Sequence, residues 1–234
     1  MHRPFSPVHI LISLRQILPY LGVTLTVVTG TVILGIFLSL LLVRQELSKK
    51  FWWNGFAKTY VHILRCTPSI VLLFIVFYGI PKIVFLISGA DINFWPKIIF
   101  VIFTLSLLYA AQLSQIFRSA YTAVGKSQFE AGISVGLSPF QTVTRIMIPQ
   151  AIVYALPNLG NSLIALLKEG SLAYTIGLID VMGKGNLIIS RNYGAYALET
   201  YIALAFVYWS LTLIIEKIFK RLEIKFSKGM QIAS

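Results

Sequence analysis

The sequence predicts an all-α membrane protein with about five transmembrane helices, and three observations carry that prediction. Of its 234 residues, 57% are hydrophobic and only 12% are charged, about half the charged share of a soluble globular domain. Uncharged runs recur along the chain, each close to the roughly 20 residues that cross a hydrocarbon core. Lys and Arg gather at alternate ends of those runs, the asymmetry that sets the orientation of membrane proteins.

Residues 1–16 form an N-terminal lead-in. Val8, Ile10, Leu11, Leu14 and Ile17, set around His9 and Arg15, suit either a short amphipathic helix at the interface or an extension of the first span. Span one covers residues 16–43. It is about twice as long as a signal-peptide core and lacks a small-x-small exit, so it is expected to remain as a helix. Its Gly22, Gly30 and Gly35 allow close helix approach. Span two covers residues 66–81 and reaches back through Arg65 to about Thr59; Pro68 within it permits a kink. The apolar stretch 83–90 is too short to cross and reads as a surface or re-entrant piece. Span three covers residues 98–117.

A polar island follows at about residues 127–145. Ser127-Gln128-Phe129-Glu130 has the form of a capping box, and Gly136 stands where a helix would stop in the left-handed conformation. Ser138, Pro139 and Gln141 then supply a cap, a first-turn proline and a second box. Two short helices joined by a sharp bend are predicted, each too short for a bilayer at roughly 1.5 Å per residue. Span four covers residues 146–167, with Pro157 as a second kink. Residues 171–177 are expected to cover the end of the bundle, and Gly183-Lys184-Gly185 and Arg191-Asn192-Tyr193-Gly194 read as loop. Span five covers residues 200–215, extended to about Tyr193, and residues 223–234 form a tail. No linker marks a second domain, so residues 17–222 make one transmembrane unit.

Five crossings put the termini on opposite faces. Lys and Arg number twelve after span one, after span three and in the tail, against seven at the other ends. The excess marks the cytoplasm, so the N-terminus is expected outside, with the island and the C-terminus inside. The net charge of +12 is spread among loops that ring a membrane, which fits anionic membrane lipids and excludes nucleic acid as the partner. Cys66 is the one cysteine, so no internal disulfide forms.

Signatures of chemistry fail in turn. Val124-Gly125-Lys126-Ser127 ends like a phosphate-binding loop, but Ala120 occupies the position of its first glycine and no strand precedes it. His2, His9 and His62 are scattered, which leaves no metal site. No Gly-x-Ser-x-Gly supplies a nucleophile, so no catalytic residues are expected.

Polar groups within the spans are costly in lipid and mark either a pathway or a contact between helices. Asn158, Asn161 and Ser162 share one face of span four at helical spacing. Gln112 and Gln115 lie together on span three, and Thr67 and Ser69 flank Pro68. Glu169 is expected at the outer end of span four, where it meets either a zwitterionic substrate or a local ion pair; Arg65 lies at an edge of span two. Thr67, Gln112, Gln115, Asn158, Asn161, Ser162 and Glu169 are the candidate pathway residues.

The spacing Glu130-Ala131-Gly132, then Gly136, then Ile146-x-Ile148-Pro149 resembles the EAA loop of bacterial ABC importer permeases, with Gly132 for an alanine and Ile148 for a leucine. Arg65-Cys66-Thr67-Pro68 is similar to the Arg-Gly-Thr-Pro of the polar-amino-acid (histidine and glutamine) permeases. Leu156-Pro157-Asn158-Leu159-Gly160-Asn161 and Leu167-Lys168-Glu169-Gly170-Ser171-Leu172 resemble two further stretches of that family, though Glu169-Gly170 replaces Asp-Thr.

The resemblance implies the type I ABC importer permease fold with cytoplasmic coupling helices. Glu130, Ala131, Gly132, Gly136 and Leu137 would dock on an ATPase. It also implies two cytoplasmic ABC ATPases that bind ATP and Mg, a second permease copy or a homologous permease, and an extracytoplasmic amino-acid-binding protein. This chain itself would hold no cofactor. Its carried substrate would be a polar amino acid, with residues 171–182 leaning towards cystine and histidine, glutamine and basic amino acids remaining open. A membrane channel subunit is the alternative from a different class; it has no need of a stiff island between spans. Gly in a helix costs up to about 1 kcal/mol relative to Ala, so Gly132 predicts a softer first island helix.

Overall fold

The computed structural model describes residues 5–48 and 50–227; His2, Arg3, Lys49, Lys228 and the end of the predicted tail lie outside them. The described residues form ten α-helices: α1 (Pro7–Ile17), α2 (Leu21–Glu46), α3 (Phe51–Cys66), α4 (Ser69–Ser88), α5 (Lys97–Ala123), α6 (Lys126–Ser134), α7 (Pro139–Thr142), α8 (Ile148–Gly170), α9 (Val181–Arg191) and α10 (Ala197–Ser227). Five continuous helical stretches are long and apolar enough to span: Pro7–Glu46, Ser69–Ser88, Lys97–Ala123, Pro139–Ile176 and Ala197–Ser227.

The centre of the bundle is α5, against which α2, α8, α4 and α3 all pack. Small residues bring α2 in: a methyl group added at Gly30 would lie 2.8 Å from Ile102 Cδ1, and one at Gly35 would lie 2.8 Å from Tyr109 Cδ1. The main core joins Val27, Leu73, Val101, Leu105, Leu113 and Leu166 from four helices. A second core joins Ile17, Val181, Ile188, Ala203, Leu204 and Val207. The lead-in is therefore a helix docked on α10 and α9 rather than one lying alone at the interface. Ser13 Oγ is 3.2 Å from Thr200 Oγ1, and the Ser6 amide donates to Glu199 Oε1 at 3.0 Å.

Four expectations need correction. Pro68 does not kink a continuous second span; it breaks it. The residue before a proline is driven to extended backbone, and Thr67 at φ −93°, ψ 125° ends α3 while Pro68 precedes the first turn of α4. Residues 83–88 continue α4, which crosses Pro81 and stops at Gly89, whose φ of +70° closes the helix. The Gly183-Lys184-Gly185 region is helical. Asp180 caps α9 by accepting the Gly183 amide at 2.8 Å, and the small residues seat the helix on its neighbour, because a methyl at Gly185 would lie 2.6 Å from Leu204 Cδ1. Finally, the second island helix does not stand apart from span four. It runs through a π turn, Val143–Met147, directly into α8. Pro149 has no N–H for the Arg145 carbonyl and its ring crowds that carbonyl, which opens the ladder to the wider spacing.

Asp180 is almost fully buried, and Thr24 Oγ1 donates to its second oxygen at 3.4 Å. Burial pushes its carboxyl up to about 6, partly offset by the Gly183 amide and the Thr24 hydroxyl.

Candidate functional site

Two features stand out against the apolar bundle, the island between α5 and α8 and a polar cavity at the break between α3 and α4.

The island is built almost wholly from local backbone chemistry. Gly125, at φ +82°, turns the chain out of α5 and starts α6 at Lys126, so Ser127 falls inside the first turn and the box predicted there does not form. The stop at Gly136 is as expected. Its φ is +89°, its amide donates to the Ile133 carbonyl at 3.0 Å, and the Leu137 amide donates to the Gly132 carbonyl at 3.1 Å. Those two bonds satisfy carbonyls that the helix end would leave open. The second box is complete: the Gln141 amide donates to Ser138 Oγ at 3.2 Å, and the Ser138 amide donates to Gln141 Oε1 at 3.0 Å.

Glu130, Ala131 and Gly136 are exposed, Leu137 is half-buried, and Gly132 is buried. Gly132 is thus a contact between α6 and α7 rather than a soft point facing solvent. A methyl group there would lie 2.5 Å from Thr142 Cγ2 and 3.2 Å from Ile146 Cδ1. Val135 and Phe140, each 77% exposed, present apolar side chains on the same island as Glu130 and Ala131. A rigid bend with an exposed apolar and acidic face results, fixed directly to α5 on one side and α8 on the other.

The cavity, about 250 Å³ in volume, is lined by Arg65 and Thr67 from the end of α3, Ser69 from the start of α4, Leu108 and Gln112 from α5, and Glu169 from α8. Three predicted pathway residues, Thr67, Gln112 and Glu169, are brought together. Gln112 lies near the middle of α5, and Glu169 is the last residue but one of α8. The 3-10 helix Ser171–Ile176 continues the stretch beyond it.

Arg65 and Glu169 share this cavity without pairing. The one salt bridge among the described residues is Arg118 to Glu46. The helix break adds a positive electrostatic end, because the first amides of α4 have no partner within their helix. One side of the cavity is therefore cationic and the other carries a carboxylate.

The other predicted residues lie elsewhere. Asn158 and Asn161 are exposed on α8, while Ser162 is buried. Gln115 serves a buried cluster that sequence reasoning missed: its Nε2 donates to both oxygens of Glu46, at 3.0 and 3.1 Å. Arg118 reaches the same carboxylate at 3.4 Å, and the Asn54 amide donates to the Glu46 carbonyl. Glu46 closes α2, α3 and α5 together; its signal was a carboxylate ending an otherwise apolar run.

Comparison with known proteins shows the family and the fold. The family described as binding-protein-dependent transport system inner membrane component matches residues 31–228. The chain is 39% identical over 210 residues to the L-cystine transport system permease protein TcyL of Bacillus subtilis (strain 168), covering 90% of this chain and 87% of that one. It is 32% identical to the arginine ABC transporter permease protein ArtQ of Haemophilus influenzae, covering 88% and 90%. A chain from the crystal structure of an amino acid ABC transporter with histidines superposes with a TM-score of 0.82 at 27% identity, covering 96% of this chain and all of that chain. The MetNI methionine ABC transporter, at 18% identity and a TM-score of 0.67, shares the fold.

Proposed function

The chain belongs to the family of binding-protein-dependent transport system inner membrane components, and from that membership we propose that it carries a polar amino acid, with cystine the leading candidate, through the cavity at the α3–α4 break. It is a membrane-spanning transport subunit and not itself an enzyme. The observation that carries the substrate reading is Arg65 and Glu169 in one polar cavity with no ion pair between them. An α-amino acid is a zwitterion. Its carboxylate would meet Arg65 and the open end of α4, and its ammonium would meet Glu169, with Thr67, Ser69 and Gln112 satisfying the remaining donors and acceptors. The 39% identity to an L-cystine permease favours cystine.

The assembly we infer has two copies of this chain, or this chain with a homologous permease, two cytoplasmic ABC ATPases holding ATP and Mg, and an extracytoplasmic amino-acid-binding protein. The N-terminus lies outside and the C-terminus in the cytoplasm, because Lys and Arg crowd the ends that include the island. Glu130, Ala131, Gly136 and Leu137 then dock on the ATPase, with Gly132 holding the bend closed behind them. Closure of the ATPases pushes the island, and the island is covalently continuous with α5 and α8, the helices that bring Gln112 and Glu169 to the cavity. The break at Thr67–Pro68 lets α4 move relative to α3 as those walls shift.

Reconstituted transporter tests the cavity. Arg65→Gln and Glu169→Gln each remove a charge-assisted contact, worth about 1.5 to 3 kcal/mol, so the half-saturating amino-acid concentration of the transport step rises roughly ten-fold to a hundred-fold while basal ATP hydrolysis persists. Unchanged uptake in both variants overturns the assignment.

A further inference from the structure

A second cavity, about 460 Å³ in volume, lies beside the end of α2 that carries Glu46. It is lined by Leu41, Arg44, Gln45, Ser48, Lys50 and Trp53 at the junction of α2 and α3. Neither Arg44 nor Lys50 has a carboxylate within ion-pair distance among the described residues. Gln45 Oε1 is buried there without a hydrogen-bond donor among the described residues, an arrangement that costs free energy unless a ligand supplies one. The first turn of α3 contains no acidic residue and no side-chain cap, which leaves its amides open to an anion.

Outside the cavity the same turn carries Phe51 and Trp52, each 83% exposed, followed by Phe56 at 62%. Aromatic rings of this kind mark the headgroup level of a membrane. The chemistry calls for a phosphate between two cations, a hydroxyl that can donate to Gln45, and apolar tails alongside exposed rings.

We propose that this junction is a binding site for an anionic phospholipid headgroup of the phosphatidylglycerol class. The phosphate sits between Arg44 and Lys50 at the start of α3, the glycerol hydroxyl donates to Gln45 Oε1, and the acyl chains run past Leu41 and the exposed rings. Bound there, the lipid ties α2 to α3 one turn from the Glu46 cluster. The proposal rests on the spanning helices and not on the substrate reading, so either can fail without the other.

The test uses the assembled transporter, purified with its ATPase from bilayers of phosphatidylcholine and phosphatidylglycerol in equal parts, with retained lipid measured by native mass spectrometry. Phosphatidylglycerol is expected to remain bound in preference to phosphatidylcholine. Arg44→Gln with Lys50→Gln weakens its retention roughly thirty-fold, as expected for two interfacial cations. Lys184→Gln with Arg191→Gln, at the other end of the bundle, leaves it unchanged.

In bilayers that also hold phosphatidic acid the wild-type protein is expected to retain phosphatidylglycerol in preference to it; Gln45→Leu, which keeps both cations, removes that preference and serves if the double variant does not assemble. Equal retention of phosphatidylcholine and phosphatidylglycerol by the wild-type protein overturns the proposal. So does complete displacement by excess inorganic phosphate, which identifies a free anion as the occupant.

Discussion

Replacing Gly132 with alanine restores the residue common in the EAA loop, yet in this chain it is expected to strain the island. The added methyl lies 2.5 Å from Thr142 Cγ2, 2.9 Å from its Oγ1 and 3.2 Å from Ile146 Cδ1. Thr142 has little room to yield, because it is fully buried and its hydroxyl donates to the Ser138 carbonyl at 3.0 Å. Overpacking of this kind costs about 1 to 3 kcal/mol. The gain in helix propensity returns about 1 kcal/mol, so the net change is a loss of up to about 2 kcal/mol from two opposing effects.

A double-mutant cycle separates them. In a Thr142→Ala background both close atoms are gone, and Gly132→Ala should become neutral or stabilising. Thermal unfolding of the four proteins in detergent reads the cycle. A coupling of about 1 to 3 kcal/mol between the two sites is expected. Additivity within about 0.5 kcal/mol, or a Gly132→Ala protein more stable than wild type with Thr142 intact, refutes the packing account of Gly132.

Two further outcomes follow from buried carboxylates. Glu46→Ala leaves the Gln115 amide without its acceptor, a loss of about 1 to 3 kcal/mol. Ser114, whose hydroxyl also donates to Glu46 Oε1 at 3.4 Å, keeps its bond to the Ala111 carbonyl, and Arg118, 41% exposed, regains water, so a loss much above that range in a melting experiment argues against this partition. Asp180 has a carboxyl raised to about 6 in the folded protein from its ordinary 3.8. The folded state therefore holds the proton more tightly, and the stability from this group is present below about pH 4 and lost as pH rises through about 6. That is a fall of about 3 kcal/mol. Asp180→Asn keeps a cap for the Gly183 amide and should flatten the melting profile across that window; an unchanged profile contradicts the assignment.

Much of this architecture was legible because it is local. Uncharged runs gave all five spans, and Gly136, Ser138 and Gln141 specify the island's bend through bonds within a few residues. What escaped the sequence depends in part on distant neighbours and in part on a competing residue close by. The box at Ser127 loses to Gly125, whose left-handed backbone starts the helix earlier. The glycines of α9 read as loop, but Leu204 packs on Gly185 and the Leu178 carbonyl crowds Gly183. Gln115 matched Gln112 in type and spacing, yet Glu46, remote in sequence, claims it. Asn158 and Asn161 follow the helical spacing of a lining face, and no sequence pattern tells which side of α8 turns from the chain's own bundle. Pro68 announced a disturbance, but whether a helix bends or breaks is decided by how far Thr67 is driven into extended backbone.

The most direct measurement is accumulation of labelled cystine in proteoliposomes that contain this chain and its ATPase, with ATP inside and the amino-acid-binding protein outside. Accumulation above the external concentration is expected only with internal ATP. It should be lost in Glu130→Lys, even though that protein inserts normally, because the exposed island no longer meets its partner. Equilibration without ATP, or full accumulation by the Glu130→Lys protein, contradicts a pathway driven through the island.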